Sequence, residues 1–244
     1  ITSCSPGWIK FCEHNFPEMI PNLSTCKSPH QMMGAIIKSY YAEKNNIDPA
    51  KIFVVSVMPC TAKKFEVARE EMNENGLADV DISITTRELA RMIERAGIRF
   101  NELPDEQFDN PMGASTGAAV IFGTTGGVME AALRTVVWKL TGGQVDTIDY
   151  HAARGYRGVK EASVMVGDLE VKVAIVNGIG NVKAVMDDVR AGKSPYHFIE
   201  VMACPGGCLN GGGAPLLSSP VQVAERMAKM YESDANNKVR RSHE

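Results

Sequence analysis

The amino-acid sequence predicts an α/β protein in which two lobes of β-sheet are flanked by helices. Apolar, β-branched runs of strand length alternate with segments that carry apolar residues at helical spacing, in both halves of the 244-residue chain. Turns that contain Gly and Pro separate these segments. With 44% hydrophobic and 23% charged residues, the composition is that of a globular protein that can bury a sizeable core.

The first lobe is predicted to span roughly residues 1–110. Its predicted elements are a helix at Gln31–Lys44, a strand at Lys51–Met58, a helix at Ala62–Glu74, a strand at Asp81–Thr85 and a helix capped by Thr86 that ends at Ala96. The Lys51–Met58 run, KIFVVSVM, is almost continuously apolar, which predicts a strand buried on both faces of its sheet.

The second lobe is predicted to span residues 111–244. It begins with a segment rich in Gly, Ala, Ser and Thr at 113–127, where backbones can approach each other closely. The predicted elements that follow are a helix at Val128–Leu140 ended by Gly142-Gly143, strands at Ala162–Val166 and Val171–Val176, a helix at Val182–Ala191 and a strand at His197–Met202.

Charge and hydropathy exclude several classes of partner. The formal net charge is −3 and the pI is about 6.0, so no basic field is available to hold nucleic acid or an anionic membrane surface. No apolar run reaches the roughly 20 residues of a membrane-spanning helix, and no signal peptide is recognisable, so the cytoplasm is the expected location. The chain begins at Ile1 and ends in a polar stretch at Glu244, which we interpret as part of a longer polypeptide.

Six cysteines are too sparse for a disulfide-stapled domain, which favours metal or redox chemistry. Four of them lie in three motifs: TSCSPGW at residues 2–8, MPCTAKKFE at 58–66 and EVMACPGGCLNGGG at 200–213. The second and third motifs follow predicted strands, where α/β proteins commonly bind ligands. Thiolates in Gly- and Pro-rich turns are typical of iron–sulfur sites. A zinc site is the alternative, although only Cys204 and Cys208 form a close pair.

These three motifs, in this order, resemble the signature of the catalytic domain of [FeFe]-hydrogenases. The similarity continues through STCKSP, TTRELA and GASTGAAVIFGTTGGVMEAALR, so that it covers essentially the whole chain. The resemblance implies reversible oxidation of H2 to protons and electrons. It also implies an H-cluster in the cleft between the lobes. The H-cluster is a [4Fe–4S] cubane joined to a two-iron subsite that carries CO, CN⁻ and an azadithiolate bridge.

The resemblance also implies roles for individual residues. Cys60, Cys204 and Cys208 correspond to cubane ligands, with Cys208 as the thiolate that bridges to the two-iron subsite. Lys63 corresponds to the residue that holds a cyanide by a charge-assisted hydrogen bond, whereas by itself it would be interpreted as a solvated lysine at a helix start. The remaining positions correspond to the walls of the subsite (Met58, Met202, Ser28, Pro29 and Phe122) and to the proton path (Ser24).

The first motif departs from the family pattern, which has two adjacent cysteines where this chain has Cys4 followed by Ser5. The ungapped register from Cys60 places Ser5 at the position of the fourth cubane ligand and Cys4 at that of the proton-relay thiol. Because iron–sulfur clusters prefer thiolate to a hard hydroxyl donor, we favour ligation by Cys4, with Ser5 near the proton path. Ligation by Ser5 stays open.

The resemblance implies H2 and protons as substrates, and iron–sulfur domains or subunits linked to ferredoxin or NAD(P)H as electron partners. Two alternatives stay open, namely a non-catalytic iron–sulfur assembly protein and a hydrogen sensor. Lys63, Met58 and Met202 favour a two-iron pocket, since a bare cubane needs none of them. Cys12 and Cys26 are predicted to pack in the core, and the five histidines to have surface or capping roles.

Overall fold

A computed structural model describes residues 1–74, 76–145, 147–156, 158–216 and 219–244 of the chain. They form two compact units. The large unit comprises residues 1–25, 115–211 and the described part of 217–244, and the small unit comprises 26–114 and 212–216. Residues 1–25, which were predicted to lie in the first lobe, therefore pack with the strands that follow Ser115. The predicted division into lobes stays a prediction.

Helices and strands alternate along the chain, which confirms the predicted α/β class. The helices are α1 Pro6–Asn15, α2 Pro29–Ile36, α3 Ala42–Lys44, α4 Lys63–Glu66, α5 Thr86–Arg95, α6 Gly117–Ile121, α7 Gly127–Leu140, α8 Val182–Arg190 and α9 Pro220–Ala235. The strands are β1 Val55–Met58, β2 Asn73–Glu74, β3 Leu77–Ala78, β4 Ile82–Thr85, β5 Val159–Val166, β6 Leu169–Asn177 and β7 Phe198–Met202. None of the helices described is long and apolar enough to cross a membrane.

The large unit is built on a three-stranded sheet in the order β5-β6-β7. Strands β5 and β6 form an antiparallel hairpin, and β7 returns parallel to β6 after the crossover helix α8. Successive side chains of β6 alternate between two cores, as the pleat requires: Ile175 packs with Met129 of α7, and Val176 packs in the cluster that contains Trp8 of α1 and Val185 of α8. The sheet is therefore covered on both faces.

The first residues of the chain run along the outer edge of β7. Thr2 donates its backbone N–H to the carbonyl of Ile199 at 3.0 Å, and its hydroxyl accepts the N–H of Val201 at 3.0 Å. The Trp8 indole donates to the Thr2 carbonyl at 3.1 Å. These bonds satisfy edge-strand groups that would otherwise lack partners, and they fix the start of α1 beside the end of β7.

The small unit contains a parallel pair, β1 and β4, and a short antiparallel pair, β2 and β3. The prediction that Lys51–Met58 forms a strand buried on both faces is wrong, because the strand begins only at Val55 and its apolar side chains are partly exposed. Val55, Val57 and Ile82 are 43–47% exposed. The physical reason is that, among the described residues, this sheet has two strands and one of its faces is open.

Two further predictions for the small unit are wrong in detail. The helix predicted at Ala62–Glu74 is reduced to α4, followed by a 3₁₀ turn at Glu70–Met72 and by β2. Helix α5 is capped by Thr85 rather than Thr86. The Thr85 hydroxyl accepts the N–H of Glu88 at 3.2 Å while the Glu88 carboxylate accepts the N–H of Thr85 at 2.8 Å, which is a capping box.

The other predicted elements are confirmed with shifts of a few residues at their ends. The helix predicted at Gln31–Lys44 is made of α2, a π-helical turn at Ile37–Tyr41 and α3. The predicted strands and helices of the large unit correspond to α7, β5, β6, α8 and β7. Helices α1, α6 and α9 were not predicted.

Candidate metal centre

The turn that carries Cys204 and Cys208 follows directly after β7, as predicted, and both cysteines are half-buried. The backbone of the turn is tied to two neighbouring segments. Gly206 donates its N–H to the Asn177 side chain at 3.1 Å and accepts the N–H of Thr125 at 3.0 Å. Leu209 donates its N–H to the Gly123 carbonyl at 3.0 Å. We name residues 204–208 the cysteine turn and residues 123–127 the glycine turn.

The close approach of these two turns requires glycine at position 207. Gly207 has φ +96°, and a Cβ placed there would lie 2.6 Å from the Thr125 nitrogen. Any side chain would therefore push the two turns apart, and it would also be strained in the left-handed region. Gly207 of the third motif thus serves the packing of the cysteine turn on the glycine turn.

Two buried side chains, Glu200 and Lys160, hold the glycine turn through its backbone. Glu200 accepts the N–H groups of Gly126 at 2.6 Å and Met129 at 2.7 Å, at the start of α7. Lys160 donates to the carbonyls of Thr125 at 3.2 Å and Ala153 at 2.8 Å. Burial lowers the pKa of Lys160 to about 8, although the negative charge of Glu200 acts to raise it. Burial likewise raises the pKa of Glu200.

The first motif meets the third at Ser5. The Ser5 hydroxyl accepts the N–H of Ala203 at 3.3 Å, one residue before Cys204. Ser5 directly precedes α1, and Cys4 is half-buried. The structure therefore brings the first and third motifs together, with the side chain of Ser5 turned toward the end of β7.

In the small unit, Lys63 lies at the start of α4 and is buried beside Glu66. Its ammonium group donates to both Glu66 oxygens, at 3.1 and 2.8 Å. The Ser28 hydroxyl also donates to Glu66, and His30 Nε2 lies 2.7 Å from Glu66 Oε1. Lys63 is thus not the solvated lysine that its sequence position alone would indicate, and the predicted pair Ser28 and Lys63 share one carboxylate.

The charge of Glu66 is stabilised by these neighbours. Burial by itself raises the pKa of Glu66, but the hydrogen bond from His30, the charge of Lys63 and the hydrogen bonds from Lys63 and Ser28 outweigh it, so the pKa lies below its ordinary value. The side chain of His30 is only 8% exposed and lies against Glu66, which corrects the predicted surface or capping role. Sequence reasoning missed Glu66, although its spacing three residues after Lys63 was a usable signal.

Cys60 follows β1 in the small unit and is half-buried, as is Met58 before it. The carbonyl of Pro59 accepts the N–H of Gly213 at 3.1 Å. A Cβ at Gly213 would lie 2.8 Å from the Cys60 nitrogen. The end of the third motif therefore packs directly on the second motif.

The other residues predicted to belong to the site differ in how far they are exposed. Met202 is buried at the end of β7, and Phe122 is half-buried after α6. Ser24 and Pro29 are exposed. Cys12 packs in the core of the large unit as predicted, whereas Cys26 is exposed, so the packing role predicted for Cys26 is wrong.

In the described part of the chain, no three His, Cys, Asp or Glu side chains converge on a point where a single metal ion could be held.

The donors at the cysteine turn suit an iron–sulfur cluster. Two soft thiol donors are spaced C-x3-C on a turn whose backbone is fixed by its neighbours. The hydroxyl of Thr125, on the adjoining glycine turn, is buried and has no hydrogen-bond partner among the described residues. A buried hydroxyl without a protein partner is suited to donate to a bound group.

Comparison with known proteins identifies what the chain is similar to. The profile of the family described as "Iron only hydrogenase large subunit, C-terminal domain" matches residues 1–212. The periplasmic [Fe] hydrogenase large subunit of Nitratidesulfovibrio vulgaris is 54% identical over 92% of this chain and 53% of its own length. An NADP-reducing hydrogenase subunit of Solidesulfovibrio fructosivorans is 52% identical over 100% of this chain and 42% of its own length. The chain thus spans about half the length of these relatives.

Solved structures and more distant relatives extend the comparison. An apo [FeFe]-hydrogenase variant from Chlamydomonas reinhardtii superposes with a TM-score of 0.83 at 38% identity, over 100% of this chain and 68% of that one. A cytosolic iron–sulfur assembly component from Rattus norvegicus is 33% identical over 96% of this chain and 52% of its own length. Both the hydrogenases and the assembly proteins are therefore relatives, and the hydrogenases are the more similar.

Proposed function

Because the chain belongs to the iron-only hydrogenase large-subunit family, we propose that it forms most of the catalytic domain of an [FeFe]-hydrogenase, which interconverts H2 with protons and electrons. The observation that carries this proposal is the buried group around Lys63. Lys63 and Ser28, two residues predicted to surround the two-iron subsite, share the Glu66 carboxylate inside the small unit. A protein that holds only a cubane has no need of this buried cation.

In this proposal Cys60, Cys204 and Cys208 would hold a [4Fe–4S] cubane, and Cys208 would also be the thiolate through which the polypeptide holds the two-iron subsite. When bound, the H-cluster supplies the redox chemistry and the site at which H2 is split or formed. The polypeptide supplies thiolate ligation, fixed backbone and a low-dielectric surrounding. The predicted position of the cluster in a cleft between the lobes stays a prediction.

Lys63 is proposed to bind a cyanide of the subsite. Its bonds to Glu66 support this role, because they hold a cation in a buried position that would otherwise be costly. Met58, Met202, Ser28, Pro29 and Phe122 are proposed to line the subsite, and Ser24 to serve the proton path. The exposure of Ser24 fits a residue that exchanges protons with solvent.

The fourth cubane ligand is proposed to be Cys4, since thiolate is the better donor, although the contact of Ser5 with Ala203 turns the Ser5 side chain toward the cysteine turn. We predict that Cys4→Ala in the full-length protein abolishes the cubane and that Ser5→Ala spares it. The measurements are iron content and the EPR spectrum of the reduced cluster. The opposite result would identify Ser5 as the ligand and Cys4 as the proton relay.

The alternative function, a non-catalytic iron–sulfur assembly protein, is represented among the relatives at 33% identity. The retention of Met58, Lys63 and Met202 together favours the hydrogenase. A hydrogen sensor would have the same cluster and would be distinguished by a signalling output in place of high turnover.

The substrates are proposed to be H2 and protons. Iron–sulfur domains or subunits are the proposed electron partners, and the NADP-reducing relative is consistent with a nicotinamide-linked system. The cytoplasmic location stays a prediction, because one relative is named periplasmic and others cytosolic.

The decisive experiment is the infrared spectrum of the full-length protein after insertion of the two-iron subsite. CO and CN⁻ stretches have no counterpart in protein, so their presence together with H2 evolution supports the proposal. Cys208→Ala should remove these bands, whereas Cys12→Ala, a change of a buried cysteine in the core, should keep them. A matured wild type without CO and CN⁻ bands would contradict the hydrogenase function and favour the assembly protein.

A further inference from the structure

Two adjacent threonines on the glycine turn differ in how their hydroxyls are satisfied. Thr124 and Thr125 are both fully buried. The Thr124 hydroxyl donates to the Ile121 carbonyl at 2.8 Å and lies 3.2 Å from the Tyr231 hydroxyl. The Thr125 hydroxyl has no partner among the described residues. A buried hydroxyl left without an acceptor is destabilising, so a specific acceptor is expected for Thr125.

The position of Thr125 is fixed against the cysteine turn. Its N–H is bonded to the carbonyl of Gly206, which lies between Cys204 and Cys208. Gly207 approaches the same nitrogen so closely that no Cβ could be accommodated. The backbone of Thr125 is therefore in direct contact with the segment that carries two of the proposed cluster ligands.

The opposite side of Thr125 is fixed as well. Lys160 donates to its carbonyl at 3.2 Å, and Glu200 holds the next residue, Gly126, through its N–H. Both side chains are buried, so this arrangement is shielded from water. The hydroxyl of Thr125 is thus presented by a backbone that is held from two directions, with Lys160 and Glu200 as positioning residues.

We propose that Thr125 is a cluster-binding residue whose hydroxyl donates a hydrogen bond to a sulfur of the iron–sulfur cluster held by the cysteine turn. This inference rests on the proposed function. A hydrogen bond to sulfur stabilises the more negatively charged, reduced cluster, so it raises the reduction potential. Thr125 would thereby adjust the potential of the cubane without ligating it.

The test uses the full-length protein reconstituted with iron and sulfide but without the two-iron subsite, so that the cubane is observed alone. The midpoint potential is measured by redox titration followed by EPR. Thr125→Val should lower the equilibrium constant for one-electron reduction about tenfold, which corresponds to about 59 mV. Thr125→Ser retains the hydroxyl and should restore the wild-type potential.

Thr124→Val is the matched control, because it removes a neighbouring buried hydroxyl whose partners lie in the protein. It should reduce thermal stability and leave the potential unchanged. A Thr125→Val protein with the wild-type potential, or a Thr124→Val protein with the same shift, would overturn the assignment.

If Thr125→Val retains no cluster, the proposal is tested with the Thr125→Ser variant instead. A cluster with the wild-type potential in that variant supports the proposal, and a missing cluster contradicts it. A wild-type protein that forms no [4Fe–4S] cluster would overturn the proposed function together with this inference. A wild type that forms the cluster, combined with an unmoved potential in Thr125→Val, overturns only the role of Thr125.

Discussion

The sheets of the two units carry cysteine motifs at equivalent places, directly after a strand, yet they are buried differently. In the large unit, β6 sends Ile175 into one core and Val176 into another. In the small unit, Val55 and Val57 of β1 are 47% and 43% exposed. Fixing a cysteine-bearing turn therefore does not require a fully covered sheet, since Cys60 is anchored by the Pro59–Gly213 contact instead.

The two units also differ in the polar contacts that surround their cysteine motifs. The large unit fixes its cysteine turn through backbone bonds to the glycine turn, which Lys160 and Glu200 hold in place, whereas the small unit gathers side chains around Glu66. Backbone bonds define the position of a turn, and side-chain networks define the position of a charge.

The largest effect is expected from Arg134 of α7, in the large unit. Its guanidinium is buried and bonded to Glu130 at 2.8 Å and to Asp234 of α9 at 2.7 and 2.8 Å. Arg134→Met leaves two buried carboxylates with fewer partners and should lower the free energy of unfolding by about 3–5 kcal/mol. Urea unfolding followed by tryptophan fluorescence measures this, because Trp8 and Trp138 both lie in the large unit. Lys229→Ala, which breaks the exposed pair with Glu232, should cost less than about 1 kcal/mol.

The next effect compares the two sheets with the same substitution. Val173 of β6 is 1% exposed, so Val173→Ala should cost about 2–3 kcal/mol from lost burial and the cavity that remains. Val57→Ala in β1 should cost less than about 1 kcal/mol, because that side chain already contacts solvent. Urea unfolding followed by far-ultraviolet circular dichroism compares both variants. Equal costs would show that the open face of β1 is covered in the intact protein.

The third effect concerns the cation of the small unit. Lys63→Ala should weaken retention of the two-iron subsite roughly tenfold or more, since a charge-assisted hydrogen bond contributes about 1.5–3 kcal/mol. The intensity of the CO and CN⁻ bands in matured full-length protein measures subsite content. Lys64→Ala is the matched control, because Lys64 pairs with Glu88 at an exposed position. Wild-type subsite content and activity in Lys63→Ala would contradict the cyanide-binding role.

The smallest effect is the contribution of Glu66 to the pH dependence of the free energy of unfolding. Its pKa in the folded protein lies below the ordinary value of 4.5, so the stability it contributes is complete above that pH and is lost as the pH falls through the folded value. The Glu66→Gln variant should lack this part of the acid-induced loss, which amounts to at most about 1.4 kcal/mol per pH unit. Urea unfolding between about pH 7 and 3 measures the slope, with the exposed Glu94→Gln as control. An unchanged slope in Glu66→Gln would mean that this carboxylate does not contribute.

Sequence patterns predicted the large unit better than the small one, for a physical reason. Strands β5, β6 and β7 and helices α7 and α8 bury regular faces, so hydrophobic periodicity reports their positions. In the small unit, the charged run after Cys60 has the pattern of an exposed helix. In the structure this run forms only the single helical turn α4, and Lys63 and Glu66 are buried there because Glu66 binds Lys63 and Ser28 rather than water.

The identity and order of the three cysteine motifs, and through them the family, could be read from the sequence, because ligand chemistry is carried by residue types at fixed spacing. Tertiary structure alone decided which polar residues surround those motifs. Lys160 and Thr125 are ordinary residues of a strand and a turn in the sequence. Thr125 becomes a buried partner of the cysteine turn, and Lys160 of β5 becomes a buried partner of Thr125, only because segments 35 residues or more apart in the chain pack together. Hydrophobic periodicity records which face of an element is apolar, whereas the partner of a buried hydroxyl or ammonium group is fixed by packing between segments distant in the chain.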